Sequence, residues 1–142
     1  THGDRLIVVG DAAGQVKPTT GGGIYYGLLC AEIGANILHR ALARNALLAK
    51  SLAEYEHEWR RKLGRELRIG YWARKFYERL NDGQIDLIFD IIKSNGIDEF
   101  LLRAEELSFD WHSRVMPRLL EHQALSKAIE VMKNTFYSGR RV

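Results

Sequence analysis

The chain has 142 residues, 46% hydrophobic and 27% charged, which is enough for one domain with a modest core and ordinary for a globular protein. Its net charge of +3 permits contact with phosphates or an anionic membrane face and demands neither, and no uncharged apolar stretch reaches the ~18 residues a membrane-spanning helix needs. The lone cysteine, Cys30, excludes an internal disulfide and suits a reducing, cytoplasmic setting, while the opening Thr1-His2-Gly3-Asp4, with no initiator Met and no signal peptide, fits a processed product or a piece of something longer.

In chain order the first element is a β-branched apolar run over residues 6–9. Such a run reads as a short strand buried on both faces, usually in a parallel sheet. One strand cannot make a sheet, so its backbone needs partners from absent sequence or a second copy, unless it stays unpaired. Residues 24–43 show no break and predict a helix that is apolar nearly all round, hence deeply buried. Asn45 reads as a cap before a second helix over residues 46–80. There Leu48, Leu52, Tyr55, Trp59, Leu63 and Leu67 step by three or four and mark the inner stripe. Glu56 with Arg60 and Glu58 with Lys62 lie one turn apart in the favourable order, and Gly64 and Gly70 weaken this helix locally.

Asn81-Asp82-Gly83 reads as a turn, followed by a short amphipathic helix over 85–93 that stops at Ser94-Asn95-Gly96. Asp98 is a candidate cap for a helix reaching about residue 107. Ser113 is another, for a helix with Pro117 in its first turn, and residues 125–134 predict the last helix. The expected fold class is therefore mainly α, with one short N-terminal strand. There is no internal repeat, linker or low-complexity stretch.

Between the strand and the first helix lies GDAAGQVKPTTGGG, residues 10–23, with five glycines in fourteen positions. A strand that hands over to a helix through glycines points backbone N–H groups and the positive end of the helix dipole at one spot. Gly21, Gly22 and Gly23 lack Cβ atoms, so a flat ligand can lie close to the backbone. Asp11 can accept hydrogen bonds from sugar-like hydroxyls, and Pro18 stiffens the loop. Lys17 is not placed for a Walker phosphate loop, and the dinucleotide fingerprint G-x-G-x-x-G is absent. Composition alone leaves a ligand loop and a plain connector both open.

The stretch VVGDAAGQVKPTTGGGIYYGLLCAEIGANIL resembles the second flavin-contacting motif of glutathione-reductase-type FAD flavoproteins. More narrowly it is similar to the geranylgeranyl reductase family and its relatives among electron-transfer-flavoprotein dehydrogenases. The likeness continues more weakly through YEHEWRRKLGRELRIGY and covers about the first 80 residues. The resemblance implies that residues 1–45 are the C-terminal strand-loop-helix piece of an incomplete FAD-binding α/β domain and that 46–142 form a helical C-terminal region. It implies that Asp11 binds the ribityl chain of FAD, with Gly10 allowing the turn, and that Ala12 and Gly14 lie along the ribityl–phosphate side. Pro18 would pack beside the isoalloxazine ring, and Gly21, Gly22 and Gly23 would offer N–H groups to its pyrimidine edge. The helix start at Ile24 would stabilise negative charge on the reduced flavin. Gln15 and Lys17 receive no role.

Members of the family reduce isolated double bonds of prenyl chains in lipids or pigments, so the resemblance implies a prenyl-lipid or prenylated-pigment substrate. The family's N-terminal fingerprint unit and substrate-pocket sheet have no counterpart here. The chain alone is therefore expected not to bind FAD tightly or turn over substrate, and to self-associate, as a homodimer, through exposed apolar surface.

The rest of the sequence gives weaker signals. Cys30 reads as a small buried side chain rather than a reactive thiol. His2, His39, His57, His112 and His122 show no metal spacing, so no metal site is expected. Glu105 and Glu106 are adjacent and do not face each other on a helix. Residues 60–79 interleave Arg60, Arg61, Lys62, Arg65, Arg68, Arg74, Lys75 and Arg79 with Tyr71, Trp72, Phe76 and Tyr77. A solvated helix is the plain reading; peripheral membrane contact is the second and a nucleic-acid surface the least favoured. The rival to the enzyme reading is a non-catalytic helical interaction module using that basic surface.

Overall fold

A computed structural model of the chain describes residues 1–103 together with 108, 110, 111, 113, 121, 123, 126 and 129. The fold is mainly α, and it divides into two compact units, Thr1–Arg74 and Lys75–Val142.

Two strands open the chain. β1 (His2–Gly3) and β2 (Leu6–Ile7) form an antiparallel hairpin with His2 opposite Ile7 and Gly3 opposite Leu6. This corrects the expectation of a single doubly buried strand over 6–9. Val8 and Val9 lie beyond the strand, Leu6 is 56% exposed, and the pairing partners come from residues 2 and 3. The physical reason is the Asp4-Arg5 turn, with Arg5 in the left-handed region at φ 57°. It lets a short run satisfy its own backbone locally, at far less ordering cost than recruiting a distant strand.

α1 (Ile24–Ala43) has the expected bounds. Tyr26, Cys30, Gly34, Ile37 and Ala41 recur at helical spacing and face inward. Its other side exposes Ile24, Leu28 and Leu42, so among the described residues this helix is covered on one face and not all round. Asn45 does not cap the next helix. It sits at φ 49° and closes α1: its N–H donates to Leu42 O at 3.0 Å, and Ala46 N–H donates to Ala41 O at 2.8 Å. That pair of bonds is a Schellman motif with Asn in the left-handed position.

α2 (Ala49–Tyr77) therefore begins three residues later than expected, and it runs unbroken through Gly64 and Gly70. Its entry is held by the hairpin turn: Asp4 Oδ1 accepts from Ala49 N–H at 2.6 Å, and Arg5 N–H donates to Leu47 O at 2.7 Å. The inner stripe is Leu52, Tyr55, Trp59, Leu63, Glu66 and Gly70. Leu48, assigned to that stripe by spacing, is 67% exposed because it precedes the helix. Glu56 pairs with Arg60 as expected, at 2.8 Å, whereas Glu58 takes Arg61 rather than Lys62. Tyr55 packs on Gly34 of α1, where a Cβ would stand 2.8 Å from Ile7 Cδ1 and 3.5 Å from the Tyr55 ring. Hairpin, α1 and α2 thus meet at one glycine.

In the second unit, α3 (Asp82–Ser94) starts earlier than predicted. Asn81-Asp82-Gly83 is the helix start and not a free turn: the Asn81 side chain accepts from Gln84 N–H, and Gln84 accepts from Asn81 N–H, both at 3.0 Å, closing a capping box. α4 (Ile97–Arg103) packs with α3, and Ile97 is buried; Asp98 lies inside its first turn rather than before it. Residues 104–107, Glu105 and Glu106 among them, and the predicted helix start around Pro117 lie outside the described residues, as do His112 and His122. Ser113 is a buried turn residue, and 126 and 129, within the predicted last helix, are helical. Among the described residues no helix is long and apolar enough to cross a membrane.

Candidate functional site

The hairpin runs through Val8 and Val9 into a 3-10 turn over Gly10–Ala13, which packs on α1. Gly10, Gly14 and Gly21 all have φ between 70° and 78°, a backbone that L side chains rarely adopt, so the loop's course depends on glycine at these bends. The turn closes with Gly14 N–H on Asp11 O at 2.9 Å and Gln15 N–H on Gly10 O at 3.1 Å.

Asp11 returns to the start of α1. A Cβ built on Gly23 would overlap the Asp11 carboxylate, so only glycine leaves room for that side chain. Gly23 is the N-cap of α1 and brings no side-chain cap, and α1 begins at Ile24. The N–H groups of Gly23 and Ile24 have no acceptor among the described residues. Gly21 N–H is spent inside the loop on Lys17 O at 2.9 Å, and Gly22 N–H makes only a long contact to Thr20 Oγ1 at 3.4 Å. An exposed carboxylate and two amides without acceptors among the described residues therefore lie where the turn meets the helix, and the helix dipole adds partial positive charge there.

The remaining expected residues are distributed around this point. Ala12 and Gly14 are exposed on the turn, and Ile24 is 84% exposed at the helix start. Pro18 rests on α2, its Cδ 3.1 Å from where a Cβ on Gly70 would sit. Lys17 folds over Gly22, 3.0 Å from Cε to the same kind of Cβ position, with Nζ 5.8 Å from the Tyr26 ring centre. Thr19 Oγ1 is buried without a hydrogen-bond partner among the described residues.

Gln15, given no role by the sequence, and Tyr55 of the inner stripe hold the loop in place. Gln15 is fully buried. Its Oε1 accepts from Gly10 N–H at 2.7 Å, its Nε2 donates to the Tyr55 hydroxyl at 2.9 Å, and that hydroxyl donates to Val8 O at 3.0 Å. The chain of bonds ties both ends of the 3-10 turn to α2. Burial raises the Tyr55 hydroxyl above its ordinary pKa, and the Gln15 bond offsets part of that rise. No local pattern announces Gln15, because its partner is 40 residues away.

Elsewhere, Cys30 is buried, and desolvation pushes its thiol up to about 11, with Lys62 opposing weakly; it is neutral at physiological pH and unreactive. A cleft of about 290 Å³ between α1 and α2 contains none of the glycine-loop residues, and its Arg40 and Glu54 are paired to each other at 2.7 Å. Among the described residues no three His, Cys, Asp or Glu side chains gather as metal ligands do.

No family model matches the sequence, and no solved structure matches it. Curated relatives do. The chain is 40% identical over 97 residues to digeranylgeranylglycerophospholipid reductase 2 of Methanothermobacter thermautotrophicus, covering 68% of this chain and 25% of that protein. It is 37% identical over 100 residues to digeranylgeranylglycerophospholipid reductase of Methanocaldococcus jannaschii, covering 69% and 26%. It is 35% identical over 95 residues to the enzyme of the same name from Methanococcus vannielii, covering 67% and 24%. The chain spans about a quarter of the length of these relatives.

Proposed function

We propose, on the premise that this chain is homologous over about 70% of its length to the geranylgeranyl reductase family of FAD-dependent oxidoreductases, that residues 10–24 form one wall of a flavin site. The parent protein would saturate carbon–carbon double bonds in the prenyl chains of a phospholipid, the substrate class in the relatives' names. The observation that carries the reading is the meeting of the Asp11 carboxylate with the Gly23 backbone at the start of α1.

The residues present fit a flat, hydroxylated cofactor. Asp11 is exposed and accepts only, which suits ribityl hydroxyls. Gly10 gives the turn, while Ala12 and Gly14 leave an open, side-chain-poor surface for the ribityl–phosphate side. Gly21 leaves open space for the ring, while the spaces beside Gly22 and Gly23 hold Lys17 and the Asp11 carboxylate; the N–H groups of Gly23 and Ile24, without acceptors among the described residues, would be the donors for its pyrimidine edge. Pro18, steadied on Gly70, borders the ring. The bound flavin supplies the redox chemistry. This chain's own part is to bind, to orient, and to set a positive potential at the N-terminus of α1 where negative charge collects.

A wall is not a whole site. The isolated 142-residue chain holds FAD weakly and turns over nothing, because the groups for the adenosine and pyrophosphate are not among those assigned here. The activity is tested on a full-length reductase containing this segment, with FAD, a chemical reductant and a digeranylgeranyl phospholipid. Mass spectrometry should show the gain of one hydrogen pair per saturated bond. An unchanged lipid, with flavin bound and reduced, would contradict the reading.

A further inference from the structure

α2 has two faces that share nothing. At ~100° per residue, the buried stripe Leu52, Tyr55, Trp59, Leu63, Glu66 and Gly70 lies half a turn away from Arg61, Arg65, Arg68 and Trp72. All four of the latter are exposed, Trp72 by 64%. Residues 60–75 contain seven Lys or Arg (60, 61, 62, 65, 68, 74 and 75) and one acidic residue, Glu66. That glutamate is 4% exposed on the inner stripe, so within this stretch the outer face carries an excess of positive charge, with Lys75 paired to Glu78 just beyond it. Arg60 and Arg61 have ion-pair partners in Glu56 and Glu58, one turn earlier. Arg65 and Arg68 have none among the described residues. Beside Arg68 lies aromatic surface: Tyr71 is 49% exposed and meets Trp72 edge-on, ring centres 5.4 Å apart.

A merely solvated face has no use for a tryptophan two-thirds in water beside a second exposed aromatic ring. Cations along one helix face with an exposed Trp and Tyr beside them match the requirements of a bilayer interface. Guanidinium groups meet lipid phosphates there, and amphipathic rings settle at headgroup level. Nucleic-acid surfaces also combine cations with exposed rings, so duplex DNA forms an arm of the test below. We propose that the outer face of α2, Arg61, Arg65, Arg68 and Trp72 with Tyr71, seats the protein on an anionic phospholipid surface. The contact lies on the membrane and does not enter it. It rests on the substrate class proposed above only for the choice of lipid, and it is read by vesicle binding, a different quantity from flavin content or turnover.

The test uses the 142-residue chain and vesicles of equal parts phosphatidylglycerol and phosphatidylcholine, against phosphatidylcholine alone. The chain should sediment with the anionic vesicles, release with rising salt, and leave neutral vesicles alone. Each cation near an anionic leaflet contributes about fivefold in partition, so Arg65→Ala/Arg68→Ala should lower binding roughly 25-fold with unchanged circular dichroism. With the half-buried Trp111 replaced by Phe in both proteins, the emission should shift to the blue on binding and Trp72→Phe should abolish the shift; Trp59 is already buried. Equal binding by the double variant, a shift that survives Trp72→Phe, or salt-sensitive binding to duplex DNA without vesicle binding each overturns the proposal. So does a full-length reductase that ignores anionic vesicles, since residues outside this chain would then cover the face.

Discussion

Gln15 follows a left-handed glycine, carries no charge, and anchors the candidate loop. Removing its amide leaves Gly10 N–H and the Tyr55 hydroxyl with one partner fewer in a dry place, and an orphaned buried polar group costs about 1–3 kcal/mol. Gln15→Leu and Tyr55→Phe should each lower the unfolding free energy by that amount in urea titrations. The double variant should cost clearly less than the sum, because both break one network. Strict additivity would show that the bonds act independently. The glycine row and Asp11 were legible in the sequence because their demand is local: small residues, a carboxylate and a helix start within fourteen positions. Gln15 was not, since its role exists only once Tyr55 arrives from α2. The same holds for Lys17, whose folding over Gly22 follows from the loop's return.

At the scale of elements, α1 was read to the residue because its apolar run has no competing signal. The misreadings sit at junctions, where one residue type serves two purposes. Asn45 can cap a helix start or close a helix end, and the 3.0 and 2.8 Å bonds to Leu42 O and Ala41 O decide for the end. Asn81 reads as a turn because Gly83 follows it, yet the capping box with Gln84 makes it the N-cap and draws Asp82 and Gly83 into α3. The N-terminal segment and α2 are joined through Glu56. Its Oε2 accepts from the Thr1 amino group at 2.9 Å and lies 3.1 Å from His2 Nδ1, while Oε1 accepts from Arg60 at 2.8 Å. The Thr1 bond, then Arg60, hold this carboxyl down at about 2, against 4.5 ordinarily. A depressed pKa contributes stability above the unfolded value and loses it as pH falls through the folded one. The urea midpoint of the 142-residue chain should therefore drop between pH 4.5 and 2, and Glu56→Gln should flatten that part of the profile. A profile unchanged by the substitution would show the clasp to be idle.

On the scale of the whole molecule, the first unit joins hairpin, glycine loop, α1 and α2 as far as Arg74, and the second begins at Lys75. The predominance of helix was legible because long apolar periodicities dominate the chain. The pairing of the opening strands was not, since two residues per strand leave almost no pattern to read. On the proposed reading, the exposed side of α1 and the quarter-length match to the relatives share one explanation: the flavin site would take its other wall from residues outside this chain. The central claim is that Asp11, set against Gly23 at the start of α1, is a flavin ligand. It is tested most directly by the flavin-to-protein ratio, from absorbance, of a purified full-length reductase containing this segment, as wild type and as Asp11→Ala. Flavin near one per chain in the wild type and a loss of most of it in a folded Asp11→Ala variant is the predicted result; full flavin content in the variant would contradict the claim.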